Sequence, residues 1–384
     1  MRYVRYSAVR NVIGEETHVA DAGAISNTRA VSVADGPIAV TGSSGYIGSW
    51  IVQDLVEQGY TVRACVRDAT NPDKVDHLLA MNDADLPGRV ELANGDLFDP
   101  GSYDDAFKDC SAVLHAGAAV GYNRETPQEV YDGCFTEVEH VLESAIKGGS
   151  LKRFVFTSSF AAVGHPRPEG YIFTESDWCG DNVEGYRGAW TEDNIPKNRD
   201  IAYAMAKARA EHMMYEMAEK EDTFDAMAIL PLHVIGPLMC TNHDQGWSWQ
   251  NCMKFMWLGK EYKKSKGGRM LWNNVDVRDV GRAHRLCAES TVAKNGSRYI
   301  LSATDPSGEL FTWQLQAKMQ ELFPDVAEVG GEEMNGNQPV EPTYDSPRSY
   351  CTLAIDELGL DTYSIDETIK ATGDSYIKLG LVPG

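Results

Sequence analysis

The stretch PIAVTGSSGYIGSWIVQDLVEQG, residues 37–59, limits what this chain can fold into more than any other. A short apolar run enters a glycine-rich turn. Ile47, Ile51, Val52, Leu55 and Val56 then recur at helical spacing until Gly59 stops them. Inside the turn, Gly42, Gly45 and Gly48 follow a G-x-x-G-x-x-G pattern. Gly42 suits the tight turn, Gly45 lets backbone approach a pyrophosphate, and Gly48 lets helix and strand pack closely. The helix start, around Tyr46 and Ile47, offers unpaired N–H groups to the anion. A glycine triplet alone also fits a purely structural turn. A strand before it and a helix after it are what a dinucleotide site requires.

The next apolar run, YTVRACVRD, bears on which dinucleotide. A carboxylate at the end of this strand suits the ribose hydroxyls of NAD, whereas an arginine there suits the 2′-phosphate of NADP. Arg67 takes that position, with Lys74 seven residues on, so NADP(H) is the expected cofactor. If Asp68 rather than Arg67 faces the ribose, NAD is selected instead.

VELANGDLFDP, AVLHAGAA and KRFVFTSS are three further short apolar runs ending in small or polar residues, with helix-like segments between them. That alternation predicts an α/β fold, a doubly wound parallel sheet with helices on both faces. Ligands of such sheets bind beyond the carboxyl ends of the strands, where Asp96, Leu97, Ala116, Gly117 and Ser159 fall.

DIAYAMAKARAEHMMYEMAEK reads as an alanine-rich helix with Tyr203 and Lys207 four residues apart. Positions i and i+4 share a helix face, so both side chains address one bound molecule. A tyrosine phenol titrates near ~10, too high for proton exchange near neutrality, and an adjacent ammonium is expected to lower it. A second such pair, Tyr262 and Lys266, lies in EYKKSKGG, a composition that reads as a solvated basic loop.

TGSSGYIG, GDL, HAGA, FTSS, YAMAK, PLHVIGP and NNVDVRDVGRAH occur in the order and spacing of the extended short-chain dehydrogenases/reductases. TVRACVRD, TESDW and the closing DELGL…SIDETIKATGDSYIKLGL make the chain resemble one branch of them. That branch contains dihydroflavonol reductases, cinnamoyl-CoA reductases and microbial aldehyde and ketone reductases. The resemblance covers residues 36–384. It implies a Rossmann-type fold with a small C-terminal substrate-binding lobe, and a catalytic group of Ser159, Tyr203 and Lys207, with Ser158 as the alternative serine. Lys207 would also hold the nicotinamide ribose, and Pro231 and Val234 resemble the family's nicotinamide-side contacts. The implied activity is reduction of an aldehyde or ketone to an alcohol with NADPH, reversible as an alcohol dehydrogenase. A nucleotide-sugar epimerase or dehydratase retaining NAD, and a non-catalytic NADP-binding regulator, are the alternatives.

The sequence also departs from that branch. Tyr203 lies 44 residues after Ser159, so VEGYRGAWTEDNIPKNR is expected to carry an insertion. DIAYAMAK lacks the longer cinnamoyl-CoA reductase signature, and Gly164 with His165 stands where dihydroflavonol reductases grip the flavonoid. Glu137 and Val138 replace a small Gly-Thr pair, and Leu230 replaces a polar residue. Tyr122, Phe160, His165 and Trp178 are the candidate pocket residues.

With 57 acidic against 35 basic residues, the formal charge is −22, which disfavours nucleic-acid and membrane-surface partners. No apolar run reaches the ~18 residues of a membrane span. The eight cysteines form no C-x-x-C or Cys/His cluster, and His115, His140 and His284 lack metal-ligand spacing, so no metal is expected. The expected organisation is an N-terminal arm over 1–36, an NADP-binding domain over 37–235, and a lobe over 236–384 from which about 270–305 returns to the main sheet. A cytoplasmic monomer or homodimer acting on a small carbonyl or alcohol is expected.

Overall fold

The computed structural model describes residues 29–118, 126–164, 167–168, 170–180, 191–244, 248–258, 271–325 and 348–383. Strand β1 (Ile38–Thr41) is buried along its whole length and leads through the glycine turn into α1 (Tyr46–Glu57). Strand β2 (Thr61–Val66), α2 (Pro72–Leu79), β3 (Arg89–Asn94), β4 (Ala112–His115), α3 (Pro127–Lys147) and β5 (Arg153–Thr157) follow. Helix α3 starts where a capping box is written in the sequence: Thr126 accepts from the Glu129 N–H, Glu129 answers to the Thr126 N–H, and Pro127 occupies the first turn.

The two-residue strand β6 (Ile172–Phe173) precedes α4 (Arg199–Glu221). Asn198 caps α4 by accepting from Asp200 N at 2.8 Å, and Asp222 ends it in the left-handed region at φ 50°. Then come β7 (Asp225–Pro231), β8 (His233–Ile235), α5 (Trp249–Trp257), β9 (Leu271–Asp276), α6 (Val277–Glu289) and β10 (Arg298–Leu301). Strand β11 (Glu309–Phe311), α7 (Thr312–Leu322), β12 (Arg348–Ser349), α8 (Thr352–Leu358) and α9 (Ile365–Lys378) close the order.

Among the described residues, seven strands form one parallel sheet in the order β10-β7-β5-β4-β1-β2-β3. Side chains alternate across it. Ile38, Val40, Val62, Val155, Met227 and Ile229 pack with α1 and α6 on one face, while Ala39, Phe154, Phe156, Ala228 and Leu230 pack with α3 and α4 on the other. Burial on both faces explains why these strands read as continuous apolar runs. The fold is the expected doubly wound, Rossmann-type α/β architecture, and chain order reverses between β1 and β4.

The expected return of 270–305 to the main sheet needs correction. Leu271–Asp276 pairs with β8 and β11 in a separate three-stranded sheet, and His233–Ile235, expected within the first domain, belongs to that sheet too. Only β10 rejoins the main sheet, with α6 packing beside α1. Beyond β8, Trp257, Trp272, Met253, Met256, Phe323 and Tyr376 build a second core. Within WSWQNCMKFMWLG, Met253, Met256 and Trp257 therefore supply the interior of the small lobe, with Trp249 packed against them. Among the described residues, no helix is long and apolar enough to cross a membrane.

Candidate active site

The glycine turn lies at the switch point. A Cβ on Gly42, whose φ is +65°, would stand 2.6 Å from Gly117 Cα, and one on Gly48 would stand 2.1 Å from Gly42 O. Both positions exclude any side chain, so turn, helix and the β4 end close up as a pyrophosphate cradle demands. Gly45 N-caps α1 without a side-chain bond, which leaves the N–H groups of the first turn, Tyr46 to Gly48, for an anion. Tyr46 donates its hydroxyl to Gly236 O at 2.9 Å and so ties the turn to the start of the small lobe. Ala116 and Gly117 continue β4, and Gly117 N donates to Thr41 Oγ1.

Arg67 ion-pairs with Asp96 at 3.3 Å and is otherwise exposed, which brings two of the predicted cofactor residues together at the β2 and β3 ends. Asp68 is turned elsewhere: Thr70 donates to its carboxylate from N and Oγ1, and these bonds hold its pKa below the ordinary value. Lys74 Nζ donates to Asn242 Oδ1 at 3.3 Å across from α2. Leu97 borders Gly117. Pro231 ends β7, and Val234 is buried in β8 among Val275 and Val277.

Ser159, Tyr203 and Lys207 converge at the end of β5. Ser159 is extended and N-caps a short 3₁₀ turn, accepting from Ala161 N, and its hydroxyl lies near enough to the Tyr203 phenol to act on its ionisation. Lys207 is 1% exposed; its Nζ donates to Thr157 O at 3.2 Å and lies 4.4 Å over the Phe156 ring. The two candidate serines separate here, because Ser158 is buried and gives its hydroxyl to Glu211 Oε1 at 2.5 Å.

The expected effect on the phenol is reversed. Burial pushes the Tyr203 pKa well up, Cys134 and Glu137 add to that, and Ser159 draws it back. The Lys207 ammonium is 5.9 Å from the Tyr203 ring centroid and is aimed at the Thr157 carbonyl. Desolvation outweighs it.

Of the candidate pocket residues, Phe160 is 5% exposed and packs edge-on against Phe173 at 5.5 Å. Trp178 is half-buried, with the Arg298 guanidinium at 3.5 Å and the His212 ring at 4.0 Å. Tyr122, His165, Tyr262, Lys266 and the arm over 1–28 lie outside the described residues. Glu137 and Val138 are fully buried on α3, which packs against α4, so this departure is accommodated inside the chain.

The histidines are held by hydrogen bonds. His284 bridges Thr157 Oγ1 and Val280 O, His140 meets Leu97 O, and His115 Nδ1 meets Thr41 Oγ1 at 2.7 Å. His115 Nε2 has no partner among the described residues, and burial followed by the Lys207 charge lowers that imidazole to about 3.

Sequence reasoning missed a second group. His77, Cys240 and His243 place one possible ligand atom each within 4.8 Å of one another. Ser49 Oγ lies 2.8 and 3.2 Å from the two imidazole Nε2 atoms, and His243 Nδ1 accepts from Met239 N. Ser49 donates on to the turn carbonyls, so this cluster braces the glycine turn from behind. Cys240-x-x-His243 was its sole local signal; His77 arrives from α2.

A glycine cradle at a switch point, facing a helix-borne tyrosine and lysine, defines the extended class of short-chain dehydrogenases/reductases. The chain belongs to the NAD dependent epimerase/dehydratase family, whose model matches residues 38–301. It is 29% identical over 347 residues to the cinnamoyl-CoA reductase CAD2 of Medicago truncatula, covering 88% of this chain and 94% of that protein. It is 34% identical over 209 residues to dihydroflavonol 4-reductase of Arabidopsis thaliana, where the match spans 53% of this chain and 51% of that protein. The structure resembles yeast methylglyoxal/isovaleraldehyde reductase Gre2 complexed with NADPH. That likeness has a TM-score of 0.71 and 22% identity, and covers 90% of this chain and 99% of the other.

Proposed function

We propose that this protein is an NADPH-dependent reductase that converts an aldehyde or ketone on a small hydrophobic or aromatic molecule to an alcohol, and runs the reverse oxidation with NADP⁺. The observation that carries this reading is the gathering of Tyr203 and Lys207, one helical turn apart on α4, against the β5 end that bears Ser159, beside the glycine turn. Bound NADPH would supply the hydride. Gly42, Gly45, Gly48 and the first turn of α1 would hold its pyrophosphate, Arg67 and Lys74 its 2′-phosphate, and Asp96, Leu97, Ala116 and Gly117 its adenosine side. Pro231, Val234 and Lys207 would hold the nicotinamide end.

Tyr203 gives a proton to the substrate oxygen. Its raised pKa keeps it in the protonated form that reduction needs. Ser159 donates a hydrogen bond to the same oxygen as negative charge grows there. Lys207 then stands close enough to steady the phenolate left behind. The small lobe built around β8, β9 and β11 would bound the substrate side. Yeast Gre2 and the plant reductases act on carbonyl-bearing molecules by their names, and that chemistry is what we transfer.

The test is NADPH consumption across a panel of aldehydes, ketones and acyl-CoA thioesters, with wild type beside Tyr203→Phe. Wild type should turn over an aldehyde or ketone, and Tyr203→Phe should lose roughly 10³-fold in kcat. Its NADPH affinity, followed by fluorescence titration, should stay within about twofold. A wild type inert to the whole panel, or a variant as fast as wild type, defeats the reading. NAD retained through purification would point to the epimerase chemistry of other family members.

A further inference from the structure

Behind Ser159, Tyr203 and Lys207 lies a buried ion pair that the proposed chemistry does not use. Glu211, one turn beyond Lys207, is 0% exposed and accepts from Ser158 Oγ at 2.5 Å, Arg298 Nε at 2.7 Å and Tyr215 OH at 3.3 Å. Arg298, the first residue of β10, donates through Nη1 to Glu175 O at 2.7 Å and Asp177 O at 2.8 Å, and stacks 3.5 Å over Trp178. One carboxylate and one guanidinium therefore join α4, the β5 end, the edge strand and the 175–178 segment.

The arrangement along α4 is regular. Tyr203, Lys207 and Glu211 recur every fourth residue beside three consecutive residues: Lys207 bonds Thr157 O, Glu211 holds the Ser158 hydroxyl, and Tyr203 lies beside Ser159. Ser158 N is also held by Ile229 O at 2.8 Å. In extended backbone, neighbouring side chains point to opposite sides. Ser159 has φ −158° and ψ 152°. With the Ser158 hydroxyl committed to Glu211, the Ser159 side chain is left on the side of Tyr203.

Stability is a poor reason for such a pair. Taking both charges out of water offsets most of their attraction, and well-packed apolar residues serve as well. Arg298 Nη2 is buried without a partner among the described residues, which adds to the cost. What an ion pair supplies and an apolar contact does not is a fixed direction.

We propose that Glu211 and Arg298 are positioning residues: their ion pair clamps Ser158 and thereby aims Ser159 at Tyr203 and the substrate oxygen. The inference rests on the reductase reading for its kinetic consequence, while its geometric consequence is independent of it.

The experiment uses the full chain with Glu211→Gln, Ser158→Ala, and the double variant. Asp225→Asn is the control, since it cuts a comparably buried pair with Arg153 at the opposite end of β5. On a carbonyl substrate, Glu211→Gln should lower kcat per folded molecule roughly 10–100-fold, as small misplacements of catalytic groups do. NADPH affinity should hold within about twofold. Ser158→Ala should show part of that loss, and the double variant should be no slower than Glu211→Gln, as expected for groups acting through one contact.

Asp225→Asn should lower Tm while leaving kcat per folded molecule unchanged. The crystal structure of Glu211→Gln, or of Ser158→Ala should the first not fold, should show Ser159 turned away from Tyr203. An unchanged kcat in both single variants overturns the proposal, as does Asp225→Asn slowing turnover as much as Glu211→Gln. If wild type itself is inert, the reductase reading falls alone; a Ser159 side chain still directed at Tyr203 in the variant crystal overturns the positioning role.

Discussion

Strand β5 has a buried cation at each end, and the two are satisfied very differently. Arg153, at its start, is 0% exposed and spends every guanidinium nitrogen: Nε on Arg29 O, Nη1 on Ala293 O, and Nη2 on Ser290 O. It also ion-pairs with Asp225 at 3.1 Å. Lys207, against the last residue of the strand, is equally buried, yet among the described residues its Nζ has one hydrogen-bond partner, Thr157 O. An ammonium carries three donors. A cation matched on all sides holds the fold together. One buried with donors to spare gains little for stability over an apolar residue, which fits the role proposed for Lys207.

Exchanging each for methionine should separate these roles. Lys207→Met should lose roughly 10²–10³-fold in turnover, while its unfolding free energy changes by about 1 kcal/mol or less, since a desolvated charge is removed with a single bond. Denaturant titration beside steady-state kinetics reads both quantities. Arg153→Met should do the reverse. Asp225 keeps its pair with Arg29, but the Arg29, Ala293 and Ser290 carbonyls lose their donor, which should cost about 3 kcal/mol of stability, with kcat per folded molecule unaltered. Equal damage to both properties in both variants would dissolve the distinction.

Arg67 is the third kind of cation, exposed and paired with Asp96. Losing a charge-assisted bond to the 2′-phosphate, Arg67→Ala should raise KM for NADPH about 10–100-fold while KM for NADH hardly moves. An unchanged preference would place the phosphate elsewhere.

Asp279 asks whether incomplete matching alone marks a working residue. It is 1% exposed, Oδ2 accepts from Tyr363 N, and Oδ1 has no partner among the described residues. Burial, and then the Asp276 carboxylate, raise its pKa to about 7, against the weaker pull of Arg282 and Arg278. A carboxyl with a raised folded pKa binds its proton more tightly in the native state. Its stabilising contribution is complete below the unfolded value near ~4 and is lost as pH rises toward about 7. Asp279→Asn should therefore raise Tm at pH ~8, flatten the decline between those limits, and leave turnover alone. A loss of turnover would show that unmatched burial reaches catalysis from α6.

Much of this was legible in one dimension because its causes are local. Gly42 and Gly48 permit no side chain, Thr126-Pro127 starts α3, and Asn198 starts α4, each through contacts within a few residues. The Tyr203–Lys207 spacing is a property of the helix itself. The sign of the tyrosine shift was not legible, because desolvation depends on what α3 packs over the ring. The neighbours of Phe160 and Trp178 were not legible either: Phe173, His212 and Arg298 arrive from other elements.

The glycine turn, the apolar strand runs and the tyrosine helix thus determined the fold class and family from the chain itself, since backbone sterics and helical periodicity act over a handful of positions. Tertiary structure decided which of two adjacent serines meets the phenol, which buried charges are saturated, and that β9 leaves the main sheet. Those outcomes depend on side chains such as Glu211 and Arg298, 87 residues apart, meeting in a dry interior. No local pattern encodes that meeting; packing of the whole sheet does.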